Sequence, residues 1–334
     1  MSTDLQDGFG RVVRDLRVSV TDRCNFRCTY CMPAEGMVWQ DRSELLTFEE
    51  IQRIVSLFVS RFGVTGVRLT GGEPTVRSHL PLLVAKLAGL RPRPDLALTT
   101  NGATLGLVAH DLRAAGLDRV NVSLDSLQPE RFAAITGRDA LGRVLEGISS
   151  ARAAGFSPVK LNCVLMRGVN DEEIVDFAQF GREQGISVRF IEFMPLDATE
   201  QWTLDQVVPS AEVLDRIGTV FPLEAVTHGP EPASRFRYTD GGAAAGGEEI
   251  GVIASVTEPF CGDCDRVRLT ADGQFRTCLF SLDEHDLRRV VRSGGSDDDL
   301  AAVIEQAVGA KWAGHRIGRA TFVRPPRSMS QIGG

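Results

Sequence analysis

"LRVSVTDRCNFRCTYC", residues 16–31, begins as an alternating apolar run and ends with three cysteines in eight positions. The alternation reads as a strand, so Cys24, Cys28 and Cys31, spaced C-x3-C-x2-C, fall in the loop at its C-terminal end. The next periodic stretch, "TFEEIQRIVSLFVSRFG" (47–63), reads as a helix: Thr47 and Glu50 make a capping box and Gly63 is a stop. The rhythm then repeats. Strands are expected over 64–70, 95–100, 119–125, 158–166 and 187–195. Helices are expected over 78–90 and near 104–115, 129–135, 139–154 and 171–184. Strand–helix alternation implies parallel pairing through crossovers. Six units fit an open doubly wound sheet or a partial barrel, and fall short of a closed barrel of eight. In either arrangement ligands gather at the C-terminal ends of the strands, where the cysteines lie.

Past about residue 220 the rhythm stops. "GPEPASRFRYTDGGAAAGGEE" (229–249) reads as a loop or linker. Strand-like runs follow at 250–257 and 265–280, the second with Asp272-Gly273 at its centre as a hairpin signal. Amphipathic helices are expected near 283–292 and 297–310. A chain of 334 residues is long for one core and suggests one large domain with an appendage, or two domains.

Hydrophobic residues make up 43% and charged residues 24%, as in soluble globular proteins. A net charge of −7 argues against nucleic-acid binding, so an anionic ligand needs a local basic pocket. Lys86, Lys160 and Lys311 are the only lysines among 37 basic residues, which codon bias toward arginine explains. The N-terminus is polar, and no apolar run approaches the roughly 20 residues of a membrane span. The expected location is cytoplasmic, away from membranes. Thiols there stay reduced, so seven cysteines read as metal ligands or catalytic groups.

A structural zinc takes four ligands, and the first cysteine set has no fourth thiol or histidine nearby; His79 belongs to another unit. A 4Fe-4S cluster also normally takes four thiolates; three would leave one iron open to a small molecule. "TGGEPTVR" (70–77) follows the second strand: its glycines let backbone approach a ligand closely, and Glu73 offers an acceptor. The second set, Cys261, Cys264 and Cys278, is spaced C-x2-C-x13-C. By spacing alone it suits zinc, with His285 or Cys163 as a fourth ligand, as well as an iron–sulfur cluster; Cys163, inside a strand pattern, reads more simply as a small buried hydrophobe. Arg266 and Arg268, two apart in a strand-like run, share one face. Arg17, Arg68 and Lys160 lie in the first, second and fifth strands, where an unpaired charge is costly. Taken singly, each reads as a solvated or paired surface charge.

The triplet C-x3-C-x2-C with Tyr30 before the third cysteine resembles the signature of the radical S-adenosylmethionine enzymes. That resemblance implies a partial (βα)6 TIM-like barrel, and a 4Fe-4S cluster on Cys24, Cys28 and Cys31 whose open iron chelates S-adenosylmethionine. "TGGEPTVR" resembles the motif that receives its amino group. With the second triplet and "DRVRL" (265–269), the likeness extends from "LRVSVTDRCNFRCTYCMP" to the terminal Gly-Gly and points to the GTP 3′,8-cyclase family. It implies residues 1–220 as the barrel and 221–334 as a C-terminal extension that binds a second 4Fe-4S cluster and closes the barrel. It implies cyclisation of GTP in molybdenum cofactor biosynthesis, with the second cluster binding guanine. Carried over residue by residue, it assigns Tyr30, Gly72, Glu73, Ser123 and Met194 to S-adenosylmethionine. It assigns Arg17, Arg68, Thr99, Lys160, Arg266, Val267 and Arg268 to GTP, with Thr100 an open alternative to Thr99. Asp125, in the loop shared with Ser123, is a candidate acceptor. Arg17 is implied in the final reduction, and Gly333 and Gly334 in a tail that reaches the site. The implied partners are a flavodoxin- or ferredoxin-like electron donor, a second copy of the chain as a homodimer, and a downstream cyclic pyranopterin monophosphate synthase. Two other readings compete: a twin-cluster radical enzyme that modifies a peptide, and a non-catalytic zinc-binding scaffold.

Overall fold

Alternation along the first strand sets the interior: Leu16 and Val18 are fully buried in the apolar core, while Arg17 between them lines a cavity. The computed structural model describes residues 4–32, 37–196, 201–226, 229, 231–241 and 249–333. The expected units appear in order: β1 (Asp15–Ser19), α1 (Phe48–Ser60), β2 (Gly66–Thr70), α2 (Leu80–Ala88), β3 (Asp95–Thr100), α3 (Leu105–Ala114), β4 (Arg119–Ser123), α4 (Pro129–Thr136), α5 (Leu141–Ala153), β5 (Lys160–Leu165), α6 (Ile174–Gln184) and β6 (Ser187–Glu192). Strands β1 to β6 pair in sequence, all parallel. The capping box that starts α1 is formed, with Thr47 N donating to Glu50 Oε2 at 2.8 Å and Glu50 N to Thr47 Oγ1 at 3.1 Å.

The rest of the chain follows as α7 (Ser210–Gly218), β7 (Leu223–Val226), β8 (Ser234–Tyr238), β9 (Glu249–Ile253), β10 (Arg266–Leu269), β11 (Gln274–Arg276), β12 (His285–Asp286), α8 (Leu287–Arg292), α9 (Asp297–Gly309) and α10 (Met329–Ile332). These strands join the same sheet, whose order is β12-β11-β10-β1-β2-β3-β4-β5-β6-β9-β8-β7. β10 lies parallel to β1 on one edge, and β9 parallel to β6 on the other. The parallel run is thus eight strands wide and is open between β9 and β10 among the described residues.

Three expectations need correction. The stretch read as a linker contains β8, which pairs antiparallel with β7 and β9; residues 242–248 lie outside the described residues. β7 was hidden because its short run has two exposed positions and no clean alternation. The run expected over 250–257 ends at Ile253, since the amides of Val256 and Thr257 turn away to donate to the buried Glu192 carboxylate at 2.7 and 2.8 Å. The Asp272-Gly273 turn does join β10 to β11, with Gly273 at a φ of +81° that favours glycine.

Candidate active site

One cavity of about 540 Å³ is lined by residues of β1 to β6 and β10 and of the loops at both ends of these strands. Its two ends follow from topology. Cys24, Cys28 and Cys31 come just after β1, at the C-terminal ends of the parallel strands. Cys264 comes just before β10, which is parallel to β1, and Cys278 just after the antiparallel β11. The second set therefore sits at the N-terminal ends, and all six cysteines line the cavity.

The first thiol loop is held by close backbone packing. Gly72 N donates to Thr21 O and Glu73 N to Arg23 O, each at 2.8 Å, and a Cβ on Gly72 would overlap the carbonyl oxygens of Asp22 and Arg23. Cys24 Sγ accepts from Phe26 N at 3.4 Å and Asn101 Nδ2 at 3.8 Å. Burial pushes the Cys24 thiol up to about 11 and Cys31 to about 12; burial, then Cys31, Asp125 and Cys24, also raise Cys28 well above its ordinary value. Such thiols ionise only against a positive partner, as cluster binding provides.

Glu73 is not the free acceptor expected from sequence. Its carboxylate is buried and takes Thr75 N at 3.0 Å, Thr100 Oγ1 at 2.6 Å and Asn101 N at 2.6 Å. Burial raises its pKa, and these donors counter the rise. Glu73 thus positions the loop after β3. Thr100 is fully engaged, since its hydroxyl also accepts from Gly102 N. Thr99 lines the cavity, and its side chain makes no hydrogen bond among the described residues. Tyr30, Ser123 and Met194 line the same end, and Tyr30 donates to Asp125 Oδ2 at 2.6 Å. Asp125 also accepts from Val164 N at 2.8 Å, and burial pushes its carboxyl up to about 6.

The middle of the cavity is cationic. Arg17 is in register with Arg68 on β2 and Arg268 on β10, so three guanidinium groups stand side by side. Burial, then Arg268 and Arg68, hold Arg17 well below its ordinary value; burial lowers Arg68 and takes Arg268 down to about 10. Arg17 Nε, Arg68 Nε and two nitrogens of Arg266 are buried without a hydrogen-bond partner among the described residues. Buried donors left unpaired are costly and mark where an anion binds. Lys160 lines the same wall. Arg189 does too, its guanidinium brought down to about 10 by burial and by Arg68. Sequence reasoning missed it, although its placement on β6 with period-two alternation was the available signal. Between Arg266 and Arg268 on β10, Val267 turns its side chain into the apolar core, on the face opposite theirs.

At the far end, Lys311 Nζ donates to Cys264 O at 2.8 Å and lies 3.8 Å from Cys264 Sγ. Burial raises the Cys264 thiol, but Arg266 and Lys311 together bring it below its ordinary value. Cys278 Sγ accepts from Phe280 N at 3.4 Å. Among the described residues, no three His, Cys, Asp or Glu side chains converge to hold a single metal ion. Neither proposed zinc partner completes the set: Cys163 is sealed in the core, and His285 is on β12, outside the cavity lining. Spread thiols with N–H donors on sulfur suit a polynuclear cluster.

The C-terminus enters this chamber. Gly333 is buried, its carbonyl accepts from Arg268, and a Cβ there would overlap Ser19 Oγ and lie 2.8 Å from Thr70 Oγ1. Gly334 lies outside the described residues.

Two family models match in series: the Radical SAM superfamily over residues 18–181, and Molybdenum Cofactor Synthesis C over residues 186–317. The GTP 3′,8-cyclase of Streptomyces coelicolor is 50% identical over 333 residues, covering 99% of this chain and 96% of its own length. GTP 3′,8-cyclase 2 of Mycobacterium tuberculosis is 49% identical over 332 residues, 99% of this chain and 92% of its own.

The chain belongs to the GTP 3′,8-cyclase family.

Membership in the cyclase family accounts for two cysteine sets on one sheet. Among solved structures, Streptococcus suis SuiB bound to S-adenosylmethionine superposes with a TM-score of 0.59, covering 84% of this chain and 66% of that one. At 14% identity the two share a fold, the TIM-like partial barrel, and the likeness is one of fold alone.

Proposed function

We infer that this chain converts GTP to (8S)-3′,8-cyclo-7,8-dihydroguanosine 5′-triphosphate, the first step of molybdenum cofactor biosynthesis. The observation that carries it is the pair of three-thiol sets at opposite ends of one cavity, with unpartnered buried guanidinium donors between them. Cys24, Cys28 and Cys31 would hold one 4Fe-4S cluster, and Cys261, Cys264 and Cys278 the other. When bound, the first cluster and S-adenosylmethionine would supply the radical chemistry that joins the ribose C3′ to C8 of guanine, with electrons from an external donor.

The chain's own work is to bind, orient and exclude water. The Gly72 backbone, Tyr30, Ser123 and Met194 hold S-adenosylmethionine at the C-terminal end, while Glu73 and Asp125 fix the groups that do so. Arg17, Arg68, Lys160 and Arg189 offset the roughly four negative charges of a triphosphate. Arg266 and Arg268 stand beside the second cluster site, where the guanine is held. Thr99 faces the substrate. Gly333 stands against Arg268 at the chamber wall. Cysteines kept for clusters rather than disulfides accord with a cytoplasmic setting, and no helix among the described residues is long and apolar enough to cross a membrane. A flavodoxin- or ferredoxin-like donor would supply the electrons, and a cyclic pyranopterin monophosphate synthase would consume the product.

The test is anaerobic reconstitution to about eight irons per chain, two four-iron clusters, followed by GTP, S-adenosylmethionine and a reductant. Equal amounts of 5′-deoxyadenosine and a cyclised nucleotide are expected. Release of 5′-deoxyadenosine with GTP left intact would overturn the assignment. The peptide-modifying reading gives no role to the arginine cluster; GTP binding that survives Arg266→Ala with Arg268→Ala would revive it.

A further inference from the structure

We propose that Lys311 sets the reduction potential of the second cluster, by placing a buried ammonium against the Cys264 sulfur and leaving its positive charge uncancelled there. The proposal rests on reading Cys261, Cys264 and Cys278 as cluster ligands. Lys311 is one of three lysines in the chain and is only 3% exposed. A buried ammonium is expensive unless its protons are accepted. Two acceptors are backbone carbonyls, Cys264 O at 2.8 Å and Arg266 O at 3.1 Å; the third direction faces Cys264 Sγ at 3.8 Å. No carboxylate lies within ion-pair distance of it among the described residues. Asp7, whose charge acts on it, is already taken by Arg11, with Nε to Oδ2 at 2.6 Å and N to Oδ1 at 3.0 Å.

The same arginine keeps the lysine in place. Arg11 Nη1 donates to Cys261 O at 2.6 Å and to Ala313 O at 2.8 Å. It thereby ties the segment after α9 to Cys261, the first cysteine of the set. In the first set Arg27 Nη1 donates to Cys24 O at 2.8 Å and its charge acts on that thiol, but the donors on Cys24 Sγ itself among the described residues, the Phe26 amide and the Asn101 carboxamide, are neutral. A fixed cation on a ligand sulfur stabilises the extra negative charge of the reduced cluster and raises its potential. The two clusters are therefore inequivalent by construction.

The experiment is a redox titration of the reconstituted full chain, followed by electron paramagnetic resonance. A variant with Cys24, Cys28 and Cys31 all changed to Ala identifies the signal of the second cluster. Lys311→Gln is expected to move that cluster's midpoint to a more negative value and leave the first unchanged, while Lys311→Arg stays near the wild type. An unchanged midpoint in Lys311→Gln, or equal shifts of both clusters, overturns the proposal. If Lys311→Gln fails to load the second cluster, Lys311→Arg decides. Loading at the wild-type midpoint supports the charge role; a displaced midpoint or failure to load shows that the lysine's shape matters instead, and overturns it. Failure of the underlying reading shows separately, as a wild-type chain that holds about four irons rather than about eight.

Discussion

Thr99 and Thr100 are neighbours on β3 with opposite duties. The Thr100 hydroxyl is bonded to Glu73 and Gly102, and Thr99 faces the cavity. Thr100→Val is expected to cost about 1–3 kcal/mol of stability, because a buried carboxylate loses a donor. Thr99→Val should leave stability near wild type and raise the KM for GTP; denaturant titration and steady-state kinetics separate the two. Arg17 is predicted to trade stability for binding. Burial and two flanking guanidiniums oppose its charge, so Arg17→Met should raise the melting temperature without nucleotide by about 2–4 °C and weaken GTP binding at least about tenfold. Calorimetry of the loaded protein with and without GTP reads both. At this scale the sequence was most legible where residue type and spacing coincide, as in the six cysteines. It was least legible for Glu73 and Val267. A buried acceptor and a free one look alike in sequence, and Val267 owes its neighbours' prominence to alternation that turns it the other way.

The loop between β2 and α2 and the loop after β1 form one unit. A Cβ on Gly72 would collide with backbone carbonyls on the cysteine loop, and backbone cannot yield as a flexible side chain can. Gly72→Ala should therefore displace Cys24 while leaving the distant second set intact. Reconstituted iron should fall from about eight toward about four per chain, with S-adenosylmethionine binding lost. Helices and central strands were readable because each joins a strong period to a cap or a glycine stop, as Thr47, Glu50 and Gly63 do for α1. β7 and β8 were not, because a partly exposed edge ribbon lacks the apolar alternation that marks a core strand, and Gly- and Pro-rich flanks hid it.

The partial barrel and its C-terminal extension share one sheet among the described residues. Residues beyond 220 supply β10 to the outer edge of β1 and β9 to that of β6. We propose the division near residue 220 as one of role, between the S-adenosylmethionine end and the second cluster. A fragment of residues 1–220 would expose both edges as unpaired parallel strands, which are templates for association. It is expected to be recovered as aggregate, judged by size-exclusion chromatography and circular dichroism; a monomeric, cooperatively melting fragment would contradict this. Pairing between chain ends is invisible to local periodicity, which is why six units were counted where eight parallel strands stand together.

The seam between β1 and β10 also bears on biosynthesis. Arg17 and Arg268 are register partners about 250 residues apart. At ribosomal speeds of roughly 5–20 residues per second, the opening strand waits about 10–50 s for its neighbour to be made. Throughout that interval Cys24, Cys28 and Cys31 have no finished chamber around them. Metal insertion into a finished chamber is therefore expected to wait until β10 has been made and has paired with β1.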